Sequence, residues 1–233
     1  MESTIYTPRL KLTLVTTVER GSQELEWMHE LCSNKEATWR SVQGASKTLE
    51  DTENAMKKIL PLPADPGKPK TYKINYAVHK LLDPPKSSDQ NESGQYSEKC
   101  DIPTRFIGLI TIKGPGGIPL PEHLTLSASA DAHTLTVEIA YMYLPIGWGQ
   151  GFATESIITA FEACKRAKEF WSPFEKVYVK ALVNTKNPAS VRVMEKSGMV
   201  NKGIYVWTGE KVWIAGEWVE RDELYVFGMH LLE

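Results

Sequence analysis

Val137-Glu138-Ile139-Ala140-Tyr141-Met142-Tyr143-Leu144-Pro145, followed by Gly147-Trp148-Gly149-Gln150-Gly151-Phe152-Ala153-Thr154-Glu155, decides how this chain folds. The first half is β-branched and aromatic, as strands are. The second half places three glycines in five positions and then opens a helical pattern. A glycine-rich turn between strand and helix lets the backbone come close to a ligand. The first N–H groups of the helix have no partner within it, and the aligned peptide dipoles make that end electropositive, so the turn suits a phosphate. No Gly-Lys-Ser/Thr follows, which excludes the P-loop of nucleotide hydrolases, and the spacing misses the GxGxxG of dinucleotide folds. What remains is a pyrophosphate cradle of another kind.

Outward from that stretch the chain alternates strands and helices. Leu10–Val15 reads as a first strand. Helical segments follow near Ser22–Cys32 and Leu49–Leu60, the second closed by Pro61 and Pro63. Tyr72–His79 and Arg105–Ile112 read as neighbouring strands, and Lys113–Pro121, rich in glycine and proline, as a loop. Residues 83–104 are polar, with almost no aliphatic side chains, and cannot bury enough surface to order themselves; they read as a flexible insertion in one domain spanning 1–233. The insertion is either a plain linker or a substrate lid or partner contact. A third helix runs from Gly151 to about Phe170, with Ile157, Ile158, Phe161 and Cys164 as its packing stripe. Lys165, Arg166 and Lys168 crowd its end, where positive charge suits the dipole. Val177–Val183 is a short apolar strand suited to a buried place in the sheet. Asn187 as N-cap, Pro188 at the first helical position and Gly198 past the end delimit another helix. Val200–His230 supplies two or three strands, with Trp207, Trp213 and Trp218 read as core or cleft-wall aromatics.

Composition fits one enzyme domain. The chain has 233 residues, is 42% hydrophobic and carries a formal net charge of -2, so it can bury a full core and has no global field to recruit nucleic acid or membrane. Three cysteines, Cys32, Cys100 and Cys164, are too few and too scattered for a disulfide framework or metal cluster. The five histidines show no ligand spacing, so no metal is expected. With no basic-then-apolar leader and no run of about 18 apolar residues, a cytoplasmic setting is expected.

A second segment, Asn184-Thr185-Lys186-Asn187-Pro188-Ala189-Ser190-Val191-Arg192-Val193-Met194-Glu195-Lys196-Ser197-Gly198-Met199, lies one strand downstream of the cradle. Together the two resemble the GNAT superfamily of N-acetyltransferases, in particular its RimJ/RimL-like branch, which carries Glu-Ile-Gly-Tyr, then Trp-Gly-x-Gly-Tyr-Ala-Thr-Glu, then Asn-x-x-Ser and Glu-Lys-x-Gly-Phe. Thr7-Pro8-Arg9-Leu10-Lys11-Leu12, Phe106-Ile107-Gly108 and Arg221-Asp222-Glu223-Leu224-Tyr225 match weaker landmarks of that branch, so the likeness covers most of the chain. It implies a mixed α/β fold of about seven strands, with two central strands splayed apart and about four flanking helices.

The resemblance also implies a chemistry. Acetyl-CoA would insert its pantetheine arm into the splay and pair with exposed backbone of Tyr141, Met142 and Tyr143. Its pyrophosphate would rest on backbone N–H groups of Trp148, Gly149, Gln150, Gly151, Phe152 and Ala153, with the Thr154 hydroxyl adding a contact. Asn187 is either a plain helix cap or also a hydrogen-bond partner of pantetheine. Where most of the superfamily places a tyrosine acid, this chain has Met194, which has no proton to give. Ser190 is then the candidate that meets the departing sulfur, against a plain capping role. Glu138 is the candidate base that accepts the amine proton, against a purely structural carboxylate; Glu217, Glu220 and Asp222 are lesser alternatives, expected to be solvated. Ala140 replaces the branch's glycine. The expected activity is direct acetyl transfer from acetyl-CoA to an amine, a protein N-terminus or a small molecule, by a monomer or homodimer. The rival readings are a non-catalytic acetyl-CoA sensor and a structural interaction module. The acceptor-binding walls are expected from Lys35–Gln43, the insertion and Trp207–Trp218.

Overall fold

The computed structural model describes residues 1–61, 70–82, 102–127, 130 and 133–233. Eight strands form one sheet: β1 (Thr4–Tyr6), β2 (Leu10–Leu14), β3 (Tyr72–Leu81), β4 (Thr104–Gly114), β5 (Thr134–Tyr143), β6 (Lys176–Asn184), β7 (Val200–Ile214) and β8 (Glu217–Leu232). Their order is β1-β2-β3-β4-β5-β6-β8-β7. All neighbours are antiparallel except β5 and β6, which run parallel because helix α3 (Phe152–Arg166) crosses between them. The expected count was about seven. The extra strand is β1, whose three residues pair with Lys11–Thr13 and bury Ile5.

Three of these helices start where a side chain accepts one of their free N–H groups, whereas the helix that follows the glycine turn begins at Gly151 with no side-chain cap. Ser22 accepts from Leu25 at the start of α1 (Gln23–Ser33). Thr48 and Asp51 form a capping box on α2 (Leu49–Ile59). Asn187 accepts from the Ser190 N–H, with Pro188 at the first position of α4 (Pro188–Lys196). The chain leaves α4 through Gly198 at φ 83°.

Helices α3 and α4 cover one face of the sheet. Odd-numbered β5 residues, Leu135 to Tyr143, and odd-numbered β6 residues, Val177 to Val183, pack there against Phe152, Ile157, Phe161 and Met194. Helices α1 and α2 cover part of the other face, over Ala77, Phe106, Leu109 and Leu144. Two expectations about α3 change. Ile158 is 40% exposed, because it lies about 100° round the helix from Ile157. The helix also ends at Arg166 instead of Phe170, and a tight turn, Lys168–Trp171, folds Trp171 inward. That indole is fully buried and donates to the Cys164 carbonyl at 2.9 Å.

The proposed insertion falls largely outside the described residues. Its last residue, Thr104, is the first of β4, paired with Leu81, and Leu82 donates to the Pro103 carbonyl at 2.9 Å. The ladder therefore closes close to both ends of the segment. No helix among the described residues is long and apolar enough to cross a membrane.

Candidate active site

Strands β5 and β6 pair from Thr134↔Lys176 only as far as Glu138↔Lys180. Beyond that point β5 continues along β4 to Tyr143, while β6 continues along β8 to Asn184. The central sheet thus opens into a wedge-shaped gap, with Ile139–Tyr143 on one wall and Ala181–Asn184 on the other. The splay expected between these strands is present.

The direction of the β5 backbone follows from its ladder with β4. Leu144 donates to the Ile107 carbonyl at 2.8 Å, and the pairing continues as Leu109↔Met142 and Thr111↔Ala140. In an antiparallel ladder alternate residues point their N–H and C=O to opposite sides. Ile139, Tyr141 and Tyr143 therefore point into the gap, whereas Met142 points its backbone at β4. The expected backbone role of Met142 is corrected: its amide is spent on the sheet. The Tyr143 carbonyl also has a partner, the indole N–H of Trp148 at 2.8 Å.

At the mouth of the gap lies the glycine turn. Gly149 and Gly151 have φ of 72° and 78°, where a side chain is strained. A methyl added at Gly149 would meet no protein atom within 4 Å, so that face of the turn looks onto open space. The N–H groups of Gly149, Gln150, Gly151, Phe152, Ala153 and Thr154 have no backbone acceptor among the described residues. The Trp148 N–H donates to the Pro145 carbonyl at 3.0 Å, so that one expected phosphate donor is withdrawn. Its place in the row of free donors is taken by the Thr154 N–H, in the first turn of α3. Three of these donors open the helix and three precede it in the turn, an arrangement that suits a phosphate group.

Arg9 braces this turn from the far edge of the sheet. Its Nη1 donates to the Gln150 carbonyl at 3.0 Å, its Nε reaches Glu155 at 2.7 Å, and the guanidinium lies 4.8 Å from the Phe152 ring centre. Thr7 donates to the other oxygen of the Glu155 carboxylate at 2.5 Å. Sequence reasoning had Arg9 only as a landmark. No local signal could have shown its partner, which is 146 residues away.

The two proposed catalytic side chains lie on opposite faces of the sheet. Ser190, in the first turn of α4, has its hydroxyl 2.6 Å from the phenol oxygen of Tyr141. Burial pushes the Tyr141 phenol above its ordinary pKa, partly offset by the Ser190 hydrogen bond. Asn187 spends its carbonyl oxygen on capping α4. Glu138 lies on the face toward α1 and α2, beneath the loop that follows β4. One of its carboxylate oxygens is buried with no hydrogen-bond partner among the described residues. A methyl at Gly117 would collide with that carboxylate and come 3.3 Å from the Lys180 Nζ. Lys180 is itself buried and donates to the Ile118 carbonyl at 3.2 Å.

On that same face, beside the β6 wall, a cleft of about 200 Å³ is lined by Trp39, Arg40, Asn184, Glu217 and Asp222 among others. Two of the expected walls meet here: Ala215 donates to the Trp39 carbonyl, and Arg40 donates to the Lys186 carbonyl at 2.9 Å and to Asn184 Oδ1 at 3.4 Å. Asp222 accepts from Asn184 Nδ2 at 2.5 Å and from the Glu223 N–H at 2.9 Å, so it is not simply solvated. Glu217 and Glu220 are exposed and paired with Lys186 and Lys211. Trp213 and Trp218 are 53% and 61% exposed and pack on each other, so neither is a core residue. No group of metal-binding side chains occurs among the described residues.

Comparison with known proteins agrees with this geometry. The sequence model of the acetyltransferase (GNAT) domain matches residues 12–200. The fold is similar to that of a GNAT-family acetyltransferase from Bacillus anthracis, with a TM-score of 0.51, 19% identity and 98% of each chain covered. It is also similar to a spermidine N-acetyltransferase from Vibrio cholerae in complex with CoA and spermine, with a TM-score of 0.51, 18% identity, and 94% of this chain and 95% of that one covered. No curated protein sequence matches significantly. With four-fifths of its length matched and the strand splay and glycine turn in place, this chain belongs to the GNAT acetyltransferases, enzymes that pass the acetyl group of acetyl-CoA to an amine.

Proposed function

We propose that this protein is an N-acetyltransferase of the RimJ/RimL-like branch, acting in the cytoplasm as a monomer or homodimer on a protein N-terminus or a small amine. The observation that carries it is the gap between β5 and β6, which runs from Glu138↔Lys180 to the six free N–H groups of the glycine turn. Acetyl-CoA would lie along the gap with its pyrophosphate on Gly149–Thr154. Its pantetheine would pair with backbone groups of Ile139 and Tyr141, and the Asn187 amide nitrogen is free to add a contact. Holding thioester and amine in one cleft needs no covalent enzyme intermediate. Glu138 serves as base, directly or through a water under the Gly117 loop, and Ser190 meets the departing sulfur.

The acceptor enters over Trp39, Arg40 and Asp222. In that cleft two cations, Arg40 and Lys186, stand against two carboxylates, Glu217 and Asp222, and Glu217 is ion-paired with Lys186. The described lining thus has no net negative charge to attract a polycation, and amines of low charge are favoured over polyamines. Neither nucleic acid nor a membrane has a matching basic surface in the overall charge of -2. Residues 83–104 are read as an insertion in a single domain 1–233, so replacing 85–98 with a short Gly/Ser linker should leave acetyl-CoA binding intact.

The deciding experiment incubates the protein with labelled acetyl-CoA and a panel of peptide N-termini, amino acids, aminoglycosides and polyamines. Label in an amide product supports the reading. Tight acetyl-CoA binding without transfer to any class would favour a sensor instead.

A further inference from the structure

We infer that the Tyr141 side chain is a positioning residue for the leaving group: its phenol orients the Ser190 hydroxyl so that the serine hydrogen faces the gap, where the sulfur of CoA departs. The inference rests on the acetyl-CoA reading above and assigns a task to a side chain that contributes only backbone there. Three observations carry it. The two oxygens are 2.6 Å apart, so one must donate to the other. Tyr141 stands on the part of β5 that has lost β6, and Ser190 stands in the first turn of α4, so the pair bridges the element beside the gap and the helix that packs over it. Met194, where a tyrosine acid would otherwise stand, is fully buried and without a proton to give.

The direction of the hydrogen bond follows from acidity. A phenol is by several pKa units the stronger donor of the two hydroxyls, and a buried phenol remains protonated at neutral pH. Tyr141 therefore donates to Ser190 Oγ, which leaves the serine hydrogen free to turn elsewhere. A hydroxyl that already accepts a hydrogen bond is a better donor, because chained hydrogen bonds polarise one another. Tyr143, whose ring packs 6.1 Å from that of Tyr141, is held by Ser156 at 2.5 Å and by burial, so it does not compete. No charged side chain is bonded to either hydroxyl among the described residues. The positive end of the α4 dipole lies on the same side.

Proton accounting is simple. The amine nitrogen bonds to the thioester carbon and gives its proton to Glu138, and the carbon–sulfur bond breaks with its electron pair on sulfur. The thiolate is held by the Ser190 O–H and is protonated by solvent, while Tyr141 never ionises. The pair thus lowers the pKa of bound thiol without itself changing charge.

The test compares CoA with desulfo-CoA, which keeps every contact except sulfur, by calorimetry from pH 7 to pH 9. In the unaltered protein the preference for CoA should grow with pH as the thiolate forms. Tyr141→Phe and Ser190→Ala should each cut that preference at pH 9 by about ten-fold, the worth of one charge-assisted hydrogen bond. The double variant should lose no more than either single one, since the two hydroxyls act as a unit. Desulfo-CoA affinity should be unchanged in all three variants. Its loss in the unaltered protein would sink the acetyl-CoA reading itself. If Tyr141→Phe keeps the full preference while Ser190→Ala loses it, the serine acts alone and the inference is overturned.

Discussion

Glu138 and Lys180 are the last residues at which β5 and β6 face each other, so a carboxylate and an ammonium mark the closed end of the gap. Above them the chain passes through Gly116 and Gly117 at φ of 132° and 104°, and Lys180 ties the roof down through the Ile118 carbonyl. Only glycine fits at 117, because a side chain there would run into the Glu138 carboxylate. The result is a carboxylate set under a backbone roof with one oxygen left unpaired among the described residues, which costs free energy unless something uses it.

Acetyl-CoA should stabilise the protein by mass action, and thermal unfolding measures that directly. At 100 times its dissociation constant the gain is about 2.7 kcal/mol. Gly151→Asp should abolish the shift, because it strains a residue at φ 78° and sets a like charge against the pyrophosphate. An unchanged shift in a folded variant would remove the cradle from Gly149–Thr154.

Arg9→Met should separate binding from stability. Arg9 is half exposed and its ion pair with Glu155 is at the surface, so stability should fall by less than about 1 kcal/mol. Acetyl-CoA affinity should nevertheless fall several-fold, because the Gln150 carbonyl loses the guanidinium that fixes the turn. Equal losses in binding and in stability would show the brace to be merely structural.

The parts of this site that are written locally were legible in the sequence. Glycines at 149 and 151, the Asn187-Pro188 start and the Gly198 stop each act within a few residues, and each holds in the structure. What was not legible depends on partners far along the chain. β1 is three residues long and is a strand only because β2 pairs with it. The backbone of Met142 is withheld from the gap by register with β4, a relation no single stretch displays. Trp213 and Trp218 could be core or cleft-wall aromatics by sequence, and only the long hairpin, which carries them outward, removes the core alternative. The Tyr141–Ser190 contact joins two segments that were each quoted for other reasons.

His79 should make stability depend on pH. It is buried between Trp27 and Phe106 with Nε2 unpartnered among the described residues, and burial, helped by Lys11, lowers its pKa to about 4. Unfolded histidine titrates near 6.5. Between those values the unfolded chain binds the extra proton, so stability is full above about pH 6.5 and falls as the pH drops toward 4. The loss amounts to about 3 kcal/mol at most. His79→Leu should remove most of that slope in denaturant titrations at pH 7 and pH 4.5. A slope equal to that of the unaltered protein would place the titration elsewhere.

Glu138→Gln tests whether the unpaired carboxylate is the base. The amide keeps the size of the side chain under the Gly117 roof but cannot accept a proton, so turnover with a good acceptor should fall by about 10²-fold or more at neutral pH. Raising the pH should recover part of the loss, since more of the amine is then already neutral. Acetyl-CoA binding should hardly change, because the cradle lies at the other end of the gap. Lys180→Met separates this from a structural role. If the Glu138–Lys180 arrangement only holds the sheet together, both variants should lose stability alike and turnover should follow stability. If Glu138 is the base, Lys180→Met should keep most of the turnover per folded molecule. Normal turnover of Glu138→Gln across the whole pH range would move the base to Asp222, which lies in the acceptor cleft beside Asn184.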